Sequence, residues 1–302
     1  MSLVLKTDSL TKKYRGTAVV DHVSLHLEKG DIYGLIGRNG AGKTTIMKMI
    51  GGIARPTSGT YEFFGEKDNK KTIKRIGCLI ENPALYTDMS VVNNIRFYNK
   101  LLGITDDSNI DEILELVELS DAKKKAARKL SLGMKQRLGI AIAMIGDPDM
   151  LILDEPINGL DPTGIVEIRN LLLKLNQERG VTILISSHIL GELQRLATRY
   201  GIIEKGVLVE ELTHEELLEK TRQAIQIDTQ EAKAVAVELE EMGLSNYKIL
   251  PDQKIQVFCD TSLSGKINAT LASKGIYAES ISVVGQDLEA YFVEKMGGAD
   301  HV

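Results

Sequence analysis

Apolar and polar positions change rhythm three times along the chain. In the first 65 residues LVLKTDSL, AVVDHVSLHL and TYEFFG alternate or run apolar, with glycine turns between them. This spacing predicts strands. DIYGLIG is a short apolar strand, and TTIMKMIGGI reads as a helix that stops at Gly51-Gly52. From about residue 88 to 146 the period becomes helical. VVNNIRFYNKLLG and DEILELVEL carry apolar residues three and four apart, and a long helical stretch follows Ser131 as far as Asp147-Pro148. Then MLILD and VTILISS read as buried parallel strands, each followed by a helix, and GIIEKGVLVEEL as a closing hairpin. Residues 1–215 are thus expected to form an α/β core with a helical insert at about 88–146. Residues 216–302 alternate strand, helix, strand, strand, helix, strand, helix, the order of a small ferredoxin-like α+β accessory domain.

Composition narrows the functions available. The 302 residues are 43% hydrophobic and 26% charged, with a formal net charge of -5. An acidic balance without tryptophan argues against nucleic acid as a partner, since phosphate contacts need a basic surface and base stacking needs aromatics. Cys78 and Cys259 show neither metal spacing nor a disulfide framework. MSLVLKTDSLTKKY has no apolar signal segment, and no apolar run approaches the roughly 18 residues of a spanning helix. A cytoplasmic protein is expected. If it serves a membrane process, another chain must cross the bilayer.

GRNGAGKTT, residues 37–45, stands between a predicted strand and a predicted helix. It fits glycine, four residues, then Gly-Lys-Ser/Thr, the phosphate-loop pattern. The residues concerned are Gly37, Arg38, Asn39, Gly40, Ala41, Gly42, Lys43, Thr44 and Thr45. Glycines let successive N–H groups point inward at phosphate oxygens, and the following helix turns its positive end to the same anion. Lys43 reaches the outer phosphates, and the Thr44 hydroxyl can ligate Mg²⁺. MLILDEP ends an apolar strand in two acids. Asp154 would help hold the metal, and Glu155 would be free to polarise the attacking water.

LSLGMKQR begins at Leu130, and its Ser131 lies 23 positions before Asp154. With the loop and the acids, it resembles the LSGGQ-x-QR element of ABC-type ATPases. Ser131 and Gly133 match that element, while Leu132 and Met134 depart from it. Tyr14 resembles the family's adenine-stacking aromatic. Asp161, in NGLDP, resembles the loop that joins two facing subunits, and His188 the switch histidine at the γ-phosphate. The resemblance covers residues 1 to about 215. It implies a P-loop NTPase core of ABC type, with an antiparallel β subdomain and the helical insert. It also implies an ATP-dependent homodimer, with ATP between the loop of one copy and the Ser131 helix end of the other. Glu155 would be the general base, His188 would steady the γ-phosphate and Asp154 the metal. A separate membrane permease would dock on the insert and hold the subunit to the inner face of the membrane.

Glu81 stands where most ABC proteins carry glutamine. This variant is similar to the subunits of bacitracin-resistance and lantibiotic-immunity exporters, as is the tail ending VGQDLEAYFVEKMGG. Export of an antimicrobial peptide or similar amphipathic compound is the expectation. A cytosolic ABC ATPase acting as a regulator, or on ribosomes or DNA, is the alternative. Glu81, placed with the metal residues, should crowd Asp154 and Glu155 and repel them. His22 and His26 share a strand face but lack a third ligand nearby, so ordinary strand positions are expected. The basic run at 122–129 is open to a solvated face or to lipid headgroups.

Overall fold

The computed structural model describes residues 2–67, 69–251, 254–285 and 288–297. The chain opens with β1 (Leu3–Tyr14), β2 (Thr17–Val23) and β3 (His26–Glu28). It enters the core as β4 (Ile32–Ile36), passes the glycine loop into α1 (Lys43–Ile50), and returns as β5 (Ser58–Phe63). β1 pairs antiparallel with β2, β3 and β5, which makes the expected antiparallel subdomain. Leu5, Leu10, Val23, Leu27 and Phe63 are fully buried and join one core with Ile46, Met47 and Ile50 of α1. That shared core seats the glycine loop.

A short helix α2 (Asn69–Thr72) and strand β6 (Ile76–Leu79) lead to the insert. Its helices are α3 (Val91–Leu101), α4 (Ile110–Leu116) and α5 (Leu132–Ala143). Ser90 and Ser131 cap α3 and α5 by accepting from Asn93 N and Met134 N. The predicted helix past Ser131 ends sooner than expected, at Ala143, and Gly146 turns the chain with φ at +86°. Between α4 and α5, Ser120–Ala122 and Ala127–Lys129 form two short 3-10 turns. The link between the two turns is tied to α3: the Lys125 and Lys123 carbonyls accept from Val91 N and Val92 N, the first free donors of α3.

β7 (Met150–Asp154) and β8 (Thr182–Ser187) flank α6 (Pro162–Arg179), and α7 (Leu190–Leu196), β9 (Arg199–Glu204) and β10 (Val207–Thr213) complete the core. The sheet order is β10-β9-β4-β8-β7-β6, parallel except for the β9–β10 hairpin. Every residue of β4, β7 and β8 is buried, as continuous apolar runs require of strands covered on both faces. Gly77 on β6 has no room for a side chain, because a Cβ there would lie 2.0 Å from the Ala143 carbonyl oxygen. Gly77→Ala is expected to cost about 1–3 kcal/mol through overpacking, read as a lower denaturant midpoint with an unchanged slope.

The chain divides into two compact units. One runs to His214 and takes the chain back from Lys295, and the other is Glu215–Glu294. Lys295–Gly297 therefore group with the first unit and not with the accessory domain expected over 216–302. After α8 (His214–Lys220), the second unit has β11 (Ala224–Thr229), α9 (Ala232–Glu241), β12 (Tyr247–Ile249) and β13 (Lys254–Val257). α10 (Ser264–Ser273), β14 (Ala278–Val284) and α11 (Leu288–Lys295) follow. Its antiparallel sheet has the order β12-β13-β11-β14. Element order and strand order are those of the split βαβ arrangement. Ile225, Ile227, Val235, Leu239, Ile255, Val257 and Ile267 form its buried core.

Candidate functional site

β4 is buried to its last residue and hydrogen-bonded to β8 and β9, so the loop that follows starts from a fixed point. Gly37 must be glycine because a Cβ would lie 2.4 Å from the Ile203 carbonyl oxygen of β9. Gly42 has φ at +110°, and a Cβ would lie 2.7 Å from Val19 O. Both glycines let the backbone curl against neighbouring main chain. Arg38, Asn39, Gly40, Ala41, Gly42, Lys43, Thr44 and Thr45 then line one cavity of about 260 Å³. Glu155 and His188 line the same cavity, as do Val19 and Asn158, which sequence reasoning did not assign.

Lys43 is buried to 6% exposure. Its Nζ donates to Gly37 O at 2.7 Å and lies 3.4 Å from Glu155 Oε1. A buried ammonium needs such compensation, and here the loop carbonyls and Glu155 supply it. Glu155 follows the last residue of β7 with φ at +49°. That left-handed turn carries the carboxylate toward the loop, where His188 Nδ1 lies 2.8 Å from Oε2. Ser186 Oγ–H donates to Asp154 Oδ1 at 2.6 Å, and Ser186 Oγ accepts from Glu155 N at 2.9 Å. Ser186 thus holds both acids in place. Its only sequence signal was the polar end of an otherwise apolar strand.

The donors fit a hard cation. Thr44 offers a hydroxyl and Asp154 a carboxylate oxygen, an oxygen-only set suited to a divalent ion that keeps waters and phosphate oxygens as its remaining ligands. The expected crowding of three carboxylates does not occur. No group of three His, Cys, Asp or Glu converges on a metal position among the described residues. Glu81 instead pairs with Lys48 of α1, Oε1 to Nζ 2.5 Å. The hydrogen bond to Glu81 is the main cause that raises the Lys48 pKa, with burial opposing it. Each acid has its own donor, so the repulsion inferred from sequence is offset locally.

Other expected site residues lie outside this cavity. Tyr14 is 50% exposed, with Lys12 Nζ 5.0 Å from its ring centroid. Ser131 and Gly133 open α5, and Asp161 caps α6 by accepting from Gly164 N at 3.1 Å. These two helix starts adjoin: a Cβ on Gly159 would touch Leu132 Cδ2 at 3.4 Å. They form a separate, exposed surface, with Leu132 46% exposed. His22 pairs with Asp21 and His26 with Glu211, as ordinary strand residues do. In the basic run Lys123 pairs with Asp111 and Arg128 with Asp88.

The parallel sheet, the glycine loop before α1 and the acids ending β7 define a phosphate-loop nucleotide-binding protein. Residues 20–158 match the ABC transporter family. The chain is 42% identical to the bacitracin transport ATP-binding protein BcrA of Bacillus licheniformis over 302 residues, 99% of each. It is 43% identical over 206 residues to the lantibiotic transport ATP-binding protein SrtF of Streptococcus pyogenes, 68% of this chain and 89% of that one. A nucleotide-free ATP-binding cassette from an ABC transporter superposes with a TM-score of 0.66 at 25% identity, covering 72% of this chain and 94% of that one. cbiO1 of Clostridium perfringens, part of the ABC transporter complex cbiONQ, superposes at 0.65 with 26% identity, covering 80% and 98%. The chain belongs to the ATP-binding proteins of the ABC transporter family.

Proposed function

We infer that this chain is the ATP-hydrolysing subunit of an exporter, and that it drives a separate membrane permease for an antimicrobial peptide or similar amphipathic compound. One observation carries the reading: Lys43, Glu155 and His188 meet at the phosphate loop. The end-to-end likeness to bacitracin transport proteins supports the cargo class and tells against a non-transport role. No helix among the described residues is long and apolar enough to cross a membrane. The permease therefore supplies the path and holds this subunit at the inner face of the membrane.

Lys43 leaves the Gly37 and Arg38 carbonyls for the outer phosphates of ATP. Loop N–H groups from Arg38 to Thr45 take the remaining phosphate oxygens. Thr44 and Asp154 would hold Mg²⁺, which would supply neutralisation of charge on the phosphate oxygens. Glu155 orients the attacking water and accepts its proton. His188 keeps Nδ1 toward Glu155, which leaves Nε2 for the γ-phosphate. Tyr14 stacks on adenine. The α5 start behind Ser131 and Gly133, with Asp161 beside it, covers the site of a second copy, so the working unit is a homodimer. The unit that runs to His214 forms the motor and Glu215–Glu294 the accessory domain, while the insert with the Glu81 segment receives the permease.

Ser131→Arg tests the covering role. The variant is expected to bind a fluorescent ATP analogue as the unmodified chain does, and to lose about 10²-fold or more in turnover. Weakened binding with unchanged turnover would contradict it. Co-expression with a candidate permease tests the transport reading. The expected result is co-purification from membranes and peptide resistance that depends on Glu155.

A further inference from the structure

Tyr14 ends β1, is 50% exposed, and its hydroxyl has no hydrogen-bond partner among the described residues. Such a side chain swings between rotamers unless a neighbour holds it. Lys12, two positions back and so on the same face of the strand, is that neighbour. Its Nζ lies 5.0 Å from the ring centroid and donates to Arg55 O at 2.6 Å. Arg55 is itself placed by α1, since Ile53 N and Ala54 N just before it both donate to Lys48 O of that helix. Thr57 fastens the strand on either side of Lys12. Its N donates to Thr11 O at 2.8 Å, and its hydroxyl accepts from Lys13 N at 2.9 Å.

The other end of the same hairpin rests on the phosphate loop. Tyr14 pairs with Thr17 across a two-residue turn, in which Arg15 and Gly16 take φ at +50° and +86°. Two positive φ values are what the tight type I′ hairpin turn requires. Further along, Lys12 pairs with Val20 and Lys13 with Ala18, so Val19 is an extra residue, a β-bulge. Val19 lines the phosphate-loop cavity, and its carbonyl oxygen stands 2.7 Å from where a Cβ on Gly42 would be. Two residues of strand, about 7 Å, separate Val19 from Thr17, the partner of Tyr14. The ring therefore stands at a set reach from the loop that takes the phosphates.

We propose that Lys12 is a positioning residue for the nucleobase: its ammonium, tied to the chain beyond α1, covers one face of the Tyr14 ring and leaves the opposite face as the stacking platform. The proposal rests on the reading of Tyr14 as the adenine-stacking residue. The ammonium is attracted to the ring's π face, which restrains the ring before nucleotide arrives. A ring already restrained loses less freedom when a base stacks on it, and the difference appears as affinity. Lys12 acts on the base alone, because the phosphates are held by the loop and Lys43.

The test uses the full chain, with ADP and pyrophosphate as ligands that share the phosphates and differ in the base. Lys12→Met is expected to weaken ADP binding about two- to five-fold and to leave pyrophosphate affinity unchanged. In steady-state hydrolysis the KM for ATP should rise by the same factor while kcat holds. Lys12→Arg, which keeps a cation for the ring, should restore the original values. In a Tyr14→Ala background Lys12→Met should change ADP affinity by less than about two-fold. Thermal melts of each variant show that the fold is intact. Parallel losses for ADP and pyrophosphate, an undiminished effect without the ring, or normal ADP affinity in Lys12→Met each overturn the proposal. If Tyr14→Ala alone leaves ADP affinity unchanged, the adenine reading of Tyr14 falls, and the proposal falls with it.

Discussion

Lys43→Met is expected to weaken ATP binding by about ten-fold or more and to lower turnover by about 10²–10³-fold. The reason is the ammonium's position. It is buried, it already faces two loop carbonyls, and it lies 3.4 Å from the acid at 155. An oriented cation in a water-poor site interacts with phosphate far more strongly than one in bulk water. Methionine keeps the length and removes the charge. The main-chain N–H groups of the loop remain, so some binding persists. Equilibrium fluorescence with an ATP analogue measures the first effect and phosphate release the second. A variant with normal values for both would show that the cavity is not the nucleotide site.

Glu155→Gln separates chemistry from binding. Turnover should fall by about 10²–10⁴-fold, the usual contribution of a positioned general base, while nucleotide affinity holds or rises. Glutamine keeps the shape and the contacts to Ser186 Oγ, which accepts from the main-chain N of residue 155. It loses the ability to take a proton. It also removes a negative charge next to Lys43, which leaves the ammonium freer for phosphate. A variant that hydrolyses ATP at the original rate would move the base elsewhere, and His188 would be the first candidate.

The parts readable from sequence share a physical cause. β4, β7 and β8 are covered on both faces, which favours apolar residues along their middles and confines polar ones to the strand ends. The phosphate loop was readable because Gly37 and Gly42 leave no space for a side chain. Ser131 caps α5 because its hydroxyl accepts from Met134 N at the start of an apolar helix. What escaped was set by distant partners. β6 is four residues at the sheet edge, too short to show a period. The link between α4 and α5 is tied to α3 by the carbonyls of Lys123 and Lys125. Three acids predicted to repel one another were each given a donor, and Lys48 could not be assigned to Glu81 without coordinates. Ser131, Gly133 and Asp161 stay apart from the loop cavity within one chain, as the proposed second copy requires.

The most direct measurement is the solution mass of the Glu155→Gln chain by light scattering, with and without ATP. The account predicts one chain of 33.2 kDa without nucleotide and twice that mass with ATP and Mg²⁺. A mass that stays at one chain while the protein is saturated with ATP would contradict it.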